Sequence, residues 1–384
     1  MPFPVTYLLD HIAPSETFIR RELDLLRRHN WPVFTRLLNG GVNPLKHALH
    51  SCPDGFGWAF CRAAAARGGE ELAREPRTAG SILKHLPQTA YLLKKIQETD
   101  SRLIHAHFAG ITADLASIAA RTLGLPWTCA VHAHDVFTGS PQALLRRLRT
   151  AAGVVACSQM AADAVLAAGL PKEKVHVVRH GLPLNDYPFD RIQPDGALFT
   201  ACRLDPKKGV DTLIEACALL LKRGVRFTCV IAGKGPLQAD LEKQVAALGL
   251  EQTVYFTGWL SQEETRTRLM DATVLVLPSR RMKDGDRDGI ANIVVEAMAL
   301  GTPVITTTAG AAGEIITHDV NGLLAPSDQP DALADLIERA LSSKELVQRL
   351  AKEARVTAET LFDGSKNIGA LEQFFTQAVS QRPT

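Results

Sequence analysis

The sequence predicts an α/β fold made of two doubly wound, Rossmann-like domains. Short apolar runs alternate with stretches of helical spacing, which is typical of parallel sheets covered by helices. The alternation occurs in two blocks of similar size, and a stretch containing Pro and Asp, 185–196, separates them. A chain of 384 residues is long enough for two domains with separate cores. We expect an N-terminal domain at 1–190, a second domain at 191–361 and a C-terminal segment at 362–384.

The N-terminal block begins with a buried strand at 5–9 and an amphipathic helix that Ser15 or Thr17 can cap and that runs to about residue 29. Residues 53–98 have helical spacing and carry no obvious chemistry. Further strands are expected at the apolar runs 31–38, 102–107, 126–131, 154–157 and 175–178. Helices are expected at 111–123 and 159–168.

The second block repeats the pattern. Its expected strands and helices are at 197–202, 210–222 (helix), 230–232, 273–277 and 331–361 (helices). The last segment, 366–379, is amphipathic.

Composition indicates an ordinary globular protein, with 46% hydrophobic and 22% charged residues. No apolar run approaches the roughly 18 residues that a membrane span needs, and residues 1–10 do not resemble a secretory signal. Seven cysteines form no Cys-x-x-Cys pair, which predicts reduced thiols and a cytoplasmic location.

Basic residues exceed acidic ones in the N-terminal block. Arg146, Arg147 and Arg149 follow Leu144 and Leu145 in a stretch of helical spacing. One interpretation is a basic helix that contacts anionic lipid at the inner face of the cell membrane. The alternative is a solvated helix face, and the sequence leaves both open.

An acidic loop at 284–289 leads into a run of helix formers, 290–300, which Gly301 and Pro303 end. Asp288 and Glu296 therefore bracket a helix start. The backbone amides of Ile290, Ala291 and Asn292 would point outward with the helix dipole behind them, which suits a phosphate. A site for an anion that is flanked by two carboxylates fits a sugar nucleotide. The alternative is that the acidic loop is a solvated turn and Glu296 a solvated helix residue.

Arg203 and Lys208 lie in one loop after an expected strand, where a guanidinium and an ammonium can converge on a diphosphate. Basic residues near helix starts are common, so spacing alone is weak evidence for this.

Four histidines follow two successive expected strands: His105, His107, His132 and His134. They suggest a polar pocket at the carboxyl end of the sheet. Zinc ligation is an alternative, but neither a cysteine pattern nor His-Glu-x-x-His accompanies them. We therefore expect no metal site.

Several motifs together resemble a known family. Asp288 is followed by Gly289 and, after seven intervening residues, by Glu296, which opens Glu-Ala-Met-Ala-x-Gly-x-Pro-Val-Ile. This pattern resembles the retaining family 4 glycosyltransferases of the GT-B fold, in which two Rossmann-like domains face a central cleft and a C-terminal helix crosses back to the N-terminal domain. The first acid is usually Glu in that family, so Asp288 is a departure. The stretch Ser-Glu-Thr-Phe-Ile-x-x-Glu at 15–22 is similar to a bacterial exopolysaccharide branch, of the colanic acid transferase kind.

The resemblance implies roles for individual residues. Arg203 and Lys208 bind the donor diphosphate, Glu296 the ribose and Asp288 the donor sugar, and His132, rather than His134, approaches the reacting centre. Further donor-binding residues are Gly233, Gly258, Gly289, Ile290, Ala291 and Asn292. Residues implied on the acceptor side are Ser15, Glu16 and Thr17.

We therefore expect a retaining hexosyltransferase that moves a sugar from a UDP- or GDP-linked donor to a hydroxyl of a growing, lipid-linked polysaccharide. Neither a cofactor, a metal nor a nucleic-acid partner is expected. Two alternatives remain open: an epimerase or hydrolase of sugar nucleotides on the same fold, and a non-catalytic two-lobed sugar-binding protein.

Overall fold

A computed structural model of the chain describes residues 2–10, 16–37, 85, 89–189 and 196–380. The chain divides into two compact units, Met1–Gly181 with Ser365–Thr384, and Leu182–Gly364. Our expected boundaries were 190/191 and 361/362. Most of 53–98 lies outside the described residues, but 89–98 are helical. Part of the expected linker, 190–195, also lies outside them.

The first unit contains a six-stranded parallel sheet whose described strands follow the order β2-β1-β3-β4-β5-β6. The strands are β1 Val5–Leu9, β2 Val33–Leu37, β3 Leu103–His107, β4 Trp127–Val131, β5 Gly153–Ala156 and β6 Val175–Val177. Besides the helical residues 89–98, the described helices of this unit are α1 Thr17–Arg28, α2 Ile111–Leu123, α3 Ala133–Phe137, α4 Pro141–Leu148 and α5 Gln159–Ala167.

The second unit contains another six-stranded parallel sheet, of order β12-β11-β10-β7-β8-β9. The strands are β7 Ala197–Ala201, β8 Thr228–Ala232, β9 Val254–Gly258, β10 Val274–Leu277, β11 Val304–Thr307 and β12 Leu323–Ala325. The helices of this unit are α6 Val210–Lys222, α7 Gln238–Ala247, α8 Gln262–Asp271, α9 Asn292–Leu300, α10 Pro330–Ser342 and α11 Lys344–Leu361. The last helix, α12 Gly364–Ser380, comes after them in the chain. Together the two sheets confirm the predicted fold class.

Strand order reverses once in each sheet, and ligands of doubly wound folds bind at such points, beyond the carboxyl ends of the strands. In the first unit the reversal lies between β1 and β3, and in the second it lies between β7 and β10. The loops after these four strands are therefore expected to carry the binding and catalytic residues.

The C-terminal helix α12 belongs to the core of the first unit from Ser365 onward. The Phe375 ring lies 6.2 Å from the Tyr7 ring and 5.9 Å from the Trp31 ring, measured between centroids, and Phe375 is fully buried. Because these aromatic rings come from both ends of the chain, the last helix helps to hold the first sheet.

Two helix starts differ from the predictions. Thr17 is the first residue of α1 rather than its cap, since Glu16 occupies the N-cap position without a side-chain cap bond. Helix α9 begins at Asn292, two residues later than expected, because Ala291 has extended backbone angles, with φ −69° and ψ 128°.

Helix α4 carries Arg146 and Arg147, two of the arginines suggested for lipid contact, and the third, Arg149, is its C-cap. Its apolar residues Leu144 and Leu148 are buried in the core, and Arg147 Nε lies 3.3 Å from Asp114 Oδ2. The helix therefore has no free apolar face among these residues for a bilayer. Across the described ranges, no helix is both long and apolar enough to cross a membrane.

Candidate functional site

The loops after β7 and β10 meet at the strand-order reversal of the second sheet. Lys208 ends a short 3₁₀ helix, Pro206–Lys208, and Gly209 follows it with φ 66°. A Cβ atom at Gly209 would lie 2.0 Å from the carbonyl oxygen of Pro278, so only glycine permits this approach of the two loops. The Arg280 N–H donates to the Lys207 carbonyl at 2.8 Å and joins the loops a second time.

The glycine-rich turn after β8 lies beside the same loop. The Gly233 N–H donates to the Gly258 carbonyl at 2.7 Å, which joins the ends of β8 and β9. A Cβ atom at Gly233, where φ is 127°, would lie 1.8 Å from the Cys202 carbonyl oxygen. The two predicted glycines are thus in contact, and tight backbone packing explains the need for glycine at position 233.

Lys208 and Asp288 form a buried ion pair. Lys208 Nζ lies 2.8 Å from Asp288 Oδ1 and 2.7 Å from Oδ2, and the Ser279 hydroxyl donates to Oδ2 at 2.6 Å. Burial acts to lower the pKa of Lys208, but the Asp288 carboxylate outweighs it and holds that pKa above its usual value. For the same reason the pKa of Asp288 is lowered in spite of burial. Both groups are therefore charged near neutral pH.

A second lysine pair lies next to the first. Lys207 Nζ lies 3.1 Å from Asp286 Oδ2 and 4.0 Å from Asp288 Oδ1. Arg203, in contrast, extends from the surface: 58% of its side chain is exposed, and its Nη2 lies 2.8 Å from Asp205 Oδ2. An exposed guanidinium with one surface partner can turn toward an anionic ligand at little cost.

The start of α9 adds backbone donors to this arrangement. The first amides of an α-helix have no acceptor within the helix, so those of Asn292 and Ile293 are available to a ligand, whereas the Val294 N–H already donates to the Ala291 carbonyl at 3.0 Å. Glu296 lies one turn further along and is only 6% exposed. A small cavity at this point is lined by Ser279, Asp288, Gly289, Ile290, Ala291 and Thr307.

His132 caps helix α3 in the first unit. The His132 N–H donates to Asp135 Oδ2 at 2.8 Å, and the Asp135 N–H donates back to the His132 ring. Within the described residues Nε2 of that ring has no hydrogen-bond partner, so the accepting atom is Nδ1. A neutral ring that accepts at Nδ1 carries its proton on Nε2. The Nε2–H of His132 is therefore a buried donor without a partner among the described residues.

Aromatic rings fix the orientation of His132. Its centroid lies 4.9 Å from Phe18, 4.6 Å from Phe108 and 5.2 Å from His180. Burial, followed by the neighbouring imidazoles of His180 and His107, lowers the pKa of His132 well below its usual value. The ring is thus neutral, as the donor geometry requires.

Glu22 joins the histidines to the sheet. Its Oε1 accepts from the Tyr7 hydroxyl at 2.9 Å and lies 3.3 Å from His107 Nε2, and its Oε2 lies 3.9 Å from His180 Nδ1. Burial acts to raise the pKa of Glu22, but the hydrogen bond with His107 and the nearby imidazoles outweigh it and lower that pKa to about 2. The carboxylate is therefore ionised at the reversal point of the first sheet.

Neither Glu22 nor His180 was assigned a role from the sequence. The available signal was the spacing of Phe18 and Glu22, which share a helix face at i and i+4 and so reach the same cluster. Of the predicted acceptor-side residues, Ser15 lies outside the described residues, and Glu16 and Thr17 stand at the start of α1. His134 is exposed and is not among the rings that enclose His132.

Among the described residues, two groups of side chains have ligand atoms within 4.8 Å of one another, close enough to hold a metal ion. One group is His132, Cys157 and His180, and the other is Glu22, His105 and His107. In the second group, His105 Nδ1 lies 2.8 Å from the Thr128 hydroxyl and His105 Nε2 lies 3.2 Å from His107 Nε2. Hydrogen bonding with shared protons accounts for these distances, and the expectation of no metal stays a prediction.

Comparison with known proteins agrees with this arrangement. The family profile described as Glycosyltransferase Family 4 matches residues 47–186, and the profile described as Glycosyl transferases group 1 matches residues 192–357. The fold is similar to that of Anabaena Alr3699/HepE, solved in complex with UDP and glucose, with a TM-score of 0.75, 20% identity and coverage of 97% of this chain and 99% of that one.

Two relatives resemble part of the sequence. The amylovoran biosynthesis glycosyltransferase AmsK of Erwinia amylovora is 35% identical over 202 residues, which are 52% of this chain and 50% of AmsK. WcaL of Salmonella typhimurium, provisionally described as a colanic acid biosynthesis glycosyltransferase, is 32% identical over 196 residues, or 50% of this chain and 45% of WcaL. The matches thus span about half the length of these relatives.

Two parallel α/β units, each with its polar cluster where the strand order reverses, define a protein of the GT-B fold. The two profiles match adjoining parts of the chain, one in each unit. The chain belongs to the family 4 glycosyltransferases, as the resemblance in its motifs predicted.

Proposed function

We propose that the protein is a retaining hexosyltransferase that takes a sugar from a UDP- or GDP-linked donor and adds it to a hydroxyl of a growing, lipid-linked bacterial polysaccharide. The observation that carries this proposal is the contact of Lys208 with Asp288 at the strand-order reversal of the second sheet. It joins the loop that carries Lys208 and the exposed guanidinium of Arg203 to the loop that leads into α9. The UDP complex of HepE, at 20% identity, supports a nucleotide-sugar ligand. Amylovoran biosynthesis by AmsK supports a polysaccharide acceptor.

The cationic site suits the charge that develops in the reaction. As the bond from C1 of the sugar to the phosphate oxygen breaks, negative charge collects on the departing diphosphate. Lys208, Arg203 and the α9 amides would stabilise that charge, and one such donor contributes on the order of 3 kcal/mol. Lys208 and the α9 amides are already in place, and the exposed Arg203 guanidinium would turn from Asp205 toward the ligand when it binds.

His132 is proposed to act as a neutral hydrogen-bond donor. Its proton lies on Nε2. Because its pKa is well below neutral, the ring is a weak base and is hardly protonated near pH 7. A positioning role at the reacting centre therefore fits better than proton transfer. In a retaining mechanism the departing phosphate can itself accept the proton of the acceptor hydroxyl on the face that it leaves.

Glu296 is proposed to bind the ribose hydroxyls. It is buried on α9 one turn beyond Asn292, where its carboxylate can accept two hydroxyl hydrogen bonds. Gly233 and Gly258 are proposed to face the nucleotide through their backbones. Neither a metal nor another cofactor is proposed, since Lys208 and Arg203 supply the positive charge that a metal provides elsewhere.

A transfer assay tests this function. Purified protein is incubated with radiolabelled UDP- and GDP-hexoses and with a lipid extract from a polysaccharide-producing bacterium. We expect one donor to release its nucleoside diphosphate while label enters the lipid fraction, with the anomeric configuration of the donor kept. Sugar release or interconversion without the extract would indicate a hydrolase or an epimerase, and binding without turnover would indicate a sugar-binding protein.

A further inference from the structure

Both carboxylate oxygens of Asp288 are already engaged. Oδ1 accepts from Lys208 at 2.8 Å, and Oδ2 accepts from Lys208 at 2.7 Å and from Ser279 at 2.6 Å. These distances are typical of strong, charge-assisted hydrogen bonds. A sugar hydroxyl would have to compete with an ammonium for the same oxygens.

The backbone around Asp288 keeps the side chain in this orientation. The Ala311 N–H donates to the Asp288 carbonyl at 3.2 Å, and a Cβ atom at Gly310 would lie 2.5 Å from that carbonyl oxygen. The residue is only 9% exposed. Asp288 is therefore held between the loops that follow β7, β10 and β11, and it points toward Lys208.

We propose that Asp288 is a positioning residue that holds the Lys208 ammonium, charged and oriented, at the diphosphate seat, and that it is not a ligand of the donor-sugar hydroxyls. This inference rests on the proposed function, because it assumes that Lys208 binds a diphosphate. It differs from the role that the family resemblance implies for this position. The shorter Asp side chain, where the family usually has Glu, suits a carboxylate that pairs with a neighbouring lysine.

The charges around Lys208 give the pairing a measurable consequence. Besides Asp288, the acidic groups that face Lys208 are the Asp205 carboxylate and the Cys202 thiol, and Lys207 lies 4.0 Å from Asp288 Oδ1. Without the Asp288 charge, burial and Lys207 would oppose protonation of Lys208. Only the Asp205 carboxylate would remain in its favour, because burial raises the pKa of the Cys202 thiol to about 12 and leaves it neutral. Lys208 would then lose its charge at a lower pH.

Calorimetry with UDP and with the UDP-hexose that the wild type binds tests the inference. If the wild type prefers guanine as the base, GDP and the corresponding GDP-hexose are used instead. In Asp288→Asn we expect the Kd for UDP to rise about tenfold at pH 7 and to rise further by pH 9, while the ratio of the UDP-hexose and UDP affinities stays as in the wild type. Asp286→Asn is the matched control, since it removes the carboxylate of the neighbouring lysine pair. We expect the control to stay within twofold of the wild type at both pH values.

If the variant loses affinity for the UDP-hexose alone and binds UDP as well as or better than the wild type, the inference is overturned. Asp288 would then be a ligand of the donor-sugar hydroxyls. Failure of the wild type to bind either nucleoside diphosphate would instead contradict the proposed function, and the inference with it. If Asp288→Asn does not fold, Ser279→Ala serves in its place, because it removes only the 2.6 Å hydrogen bond to Asp288. The expected result is then a smaller rise in the Kd for UDP, again with an unchanged ratio, and a loss for the hexose alone would overturn the inference.

Discussion

The imidazole rings of His132 and His180 lie parallel, with 5.2 Å between their centroids and 8° between their planes. Within the described residues neither ring has a partner at Nε2. Phe18 packs against both rings, at 4.9 Å from His132 and 4.3 Å from His180. The first turns of α1 thus fix the two polar rings, and the predictions for this unit follow from that arrangement.

Replacement of His132 by alanine should lower kcat about 100-fold, the usual loss when one preorganised donor is removed. Donor affinity should change little, because the diphosphate groups lie in the other unit. Steady-state kinetics with the identified donor measures both quantities. His134→Ala, at an exposed position two residues away, is the control and should stay near wild-type activity. A large loss in the control with none in His132→Ala would reverse the assignment.

The stability of the first unit should decrease as the pH falls below neutral. Burial is the main cause that lowers the pKa of His105 to about 3 and the pKa of His180 to about 4, from 6.5. Between these values and 6.5 the unfolded chain binds more protons than the folded one, so the free energy of unfolding falls as the pH decreases through 6.5. Glu22, with its pKa lowered from 4.5 to about 2, extends the loss below pH 4.5.

Thermal melts between pH 8 and pH 4 measure this dependence. In His180→Asn the Tm should fall less steeply between pH 7 and pH 4.5 than in the wild type, whereas His134→Asn should keep the wild-type slope. A wild-type Tm that is constant across that interval would show that the buried histidines do not titrate as the structure indicates.

Glu296→Gln should weaken binding of UDP, or of GDP if that is the preferred nucleotide, by about tenfold, since a hydrogen bond to a charged group contributes roughly 1.5–3 kcal/mol. A nucleoside diphosphate without the two ribose hydroxyls gives the sharper readout. The wild type should discriminate against this ligand, and the Glu296→Gln variant should discriminate far less. Equal discrimination by both proteins would remove Glu296 from the ribose.

Removal of the Phe375 ring tests whether the last helix belongs to the first core. Phe375→Ala should reduce the free energy of unfolding by about 3–5 kcal/mol, because a fully buried aromatic ring is lost beside Tyr7 and Trp31. Gln377→Ala, at an exposed position of the same helix, should change it by less than about 0.5 kcal/mol. Chemical denaturation of both variants provides the comparison, and similar values for the two would contradict this packing.

Local pattern was enough for much of the fold. The bounds of α2 and α6 were predicted to the residue because glycine stands before each helix and apolar spacing continues to its end. The start of α9 was placed two residues too early because Ile290 and Ala291 are good helix formers. A contact distant in sequence, from Ala311 to Asp288, holds the chain just before them.

The residues of the candidate site could be identified from the sequence, but the contacts that they make with one another could not. Sequence reasoning brought Lys208 and Asp288 to one site, yet they are 80 positions apart, and their direct pairing depends on the order of β7 and β10 in the sheet. In the same way Glu22 and His107, 85 positions apart, meet only because β1 and β3 are neighbours. Spacing along a chain contains no signal for such contacts.

Isothermal titration calorimetry of the purified protein against UDP and GDP is the decisive test of the diphosphate seat. We expect one of the two nucleotides to bind at a single site, without added metal and in the presence of EDTA. We expect an Arg203→Ala/Lys208→Ala double variant, shown to be folded by its melt, to lose this binding. If the folded wild type binds neither nucleotide, the diphosphate seat at the strand-order reversal does not exist, and the proposed transfer reaction is wrong.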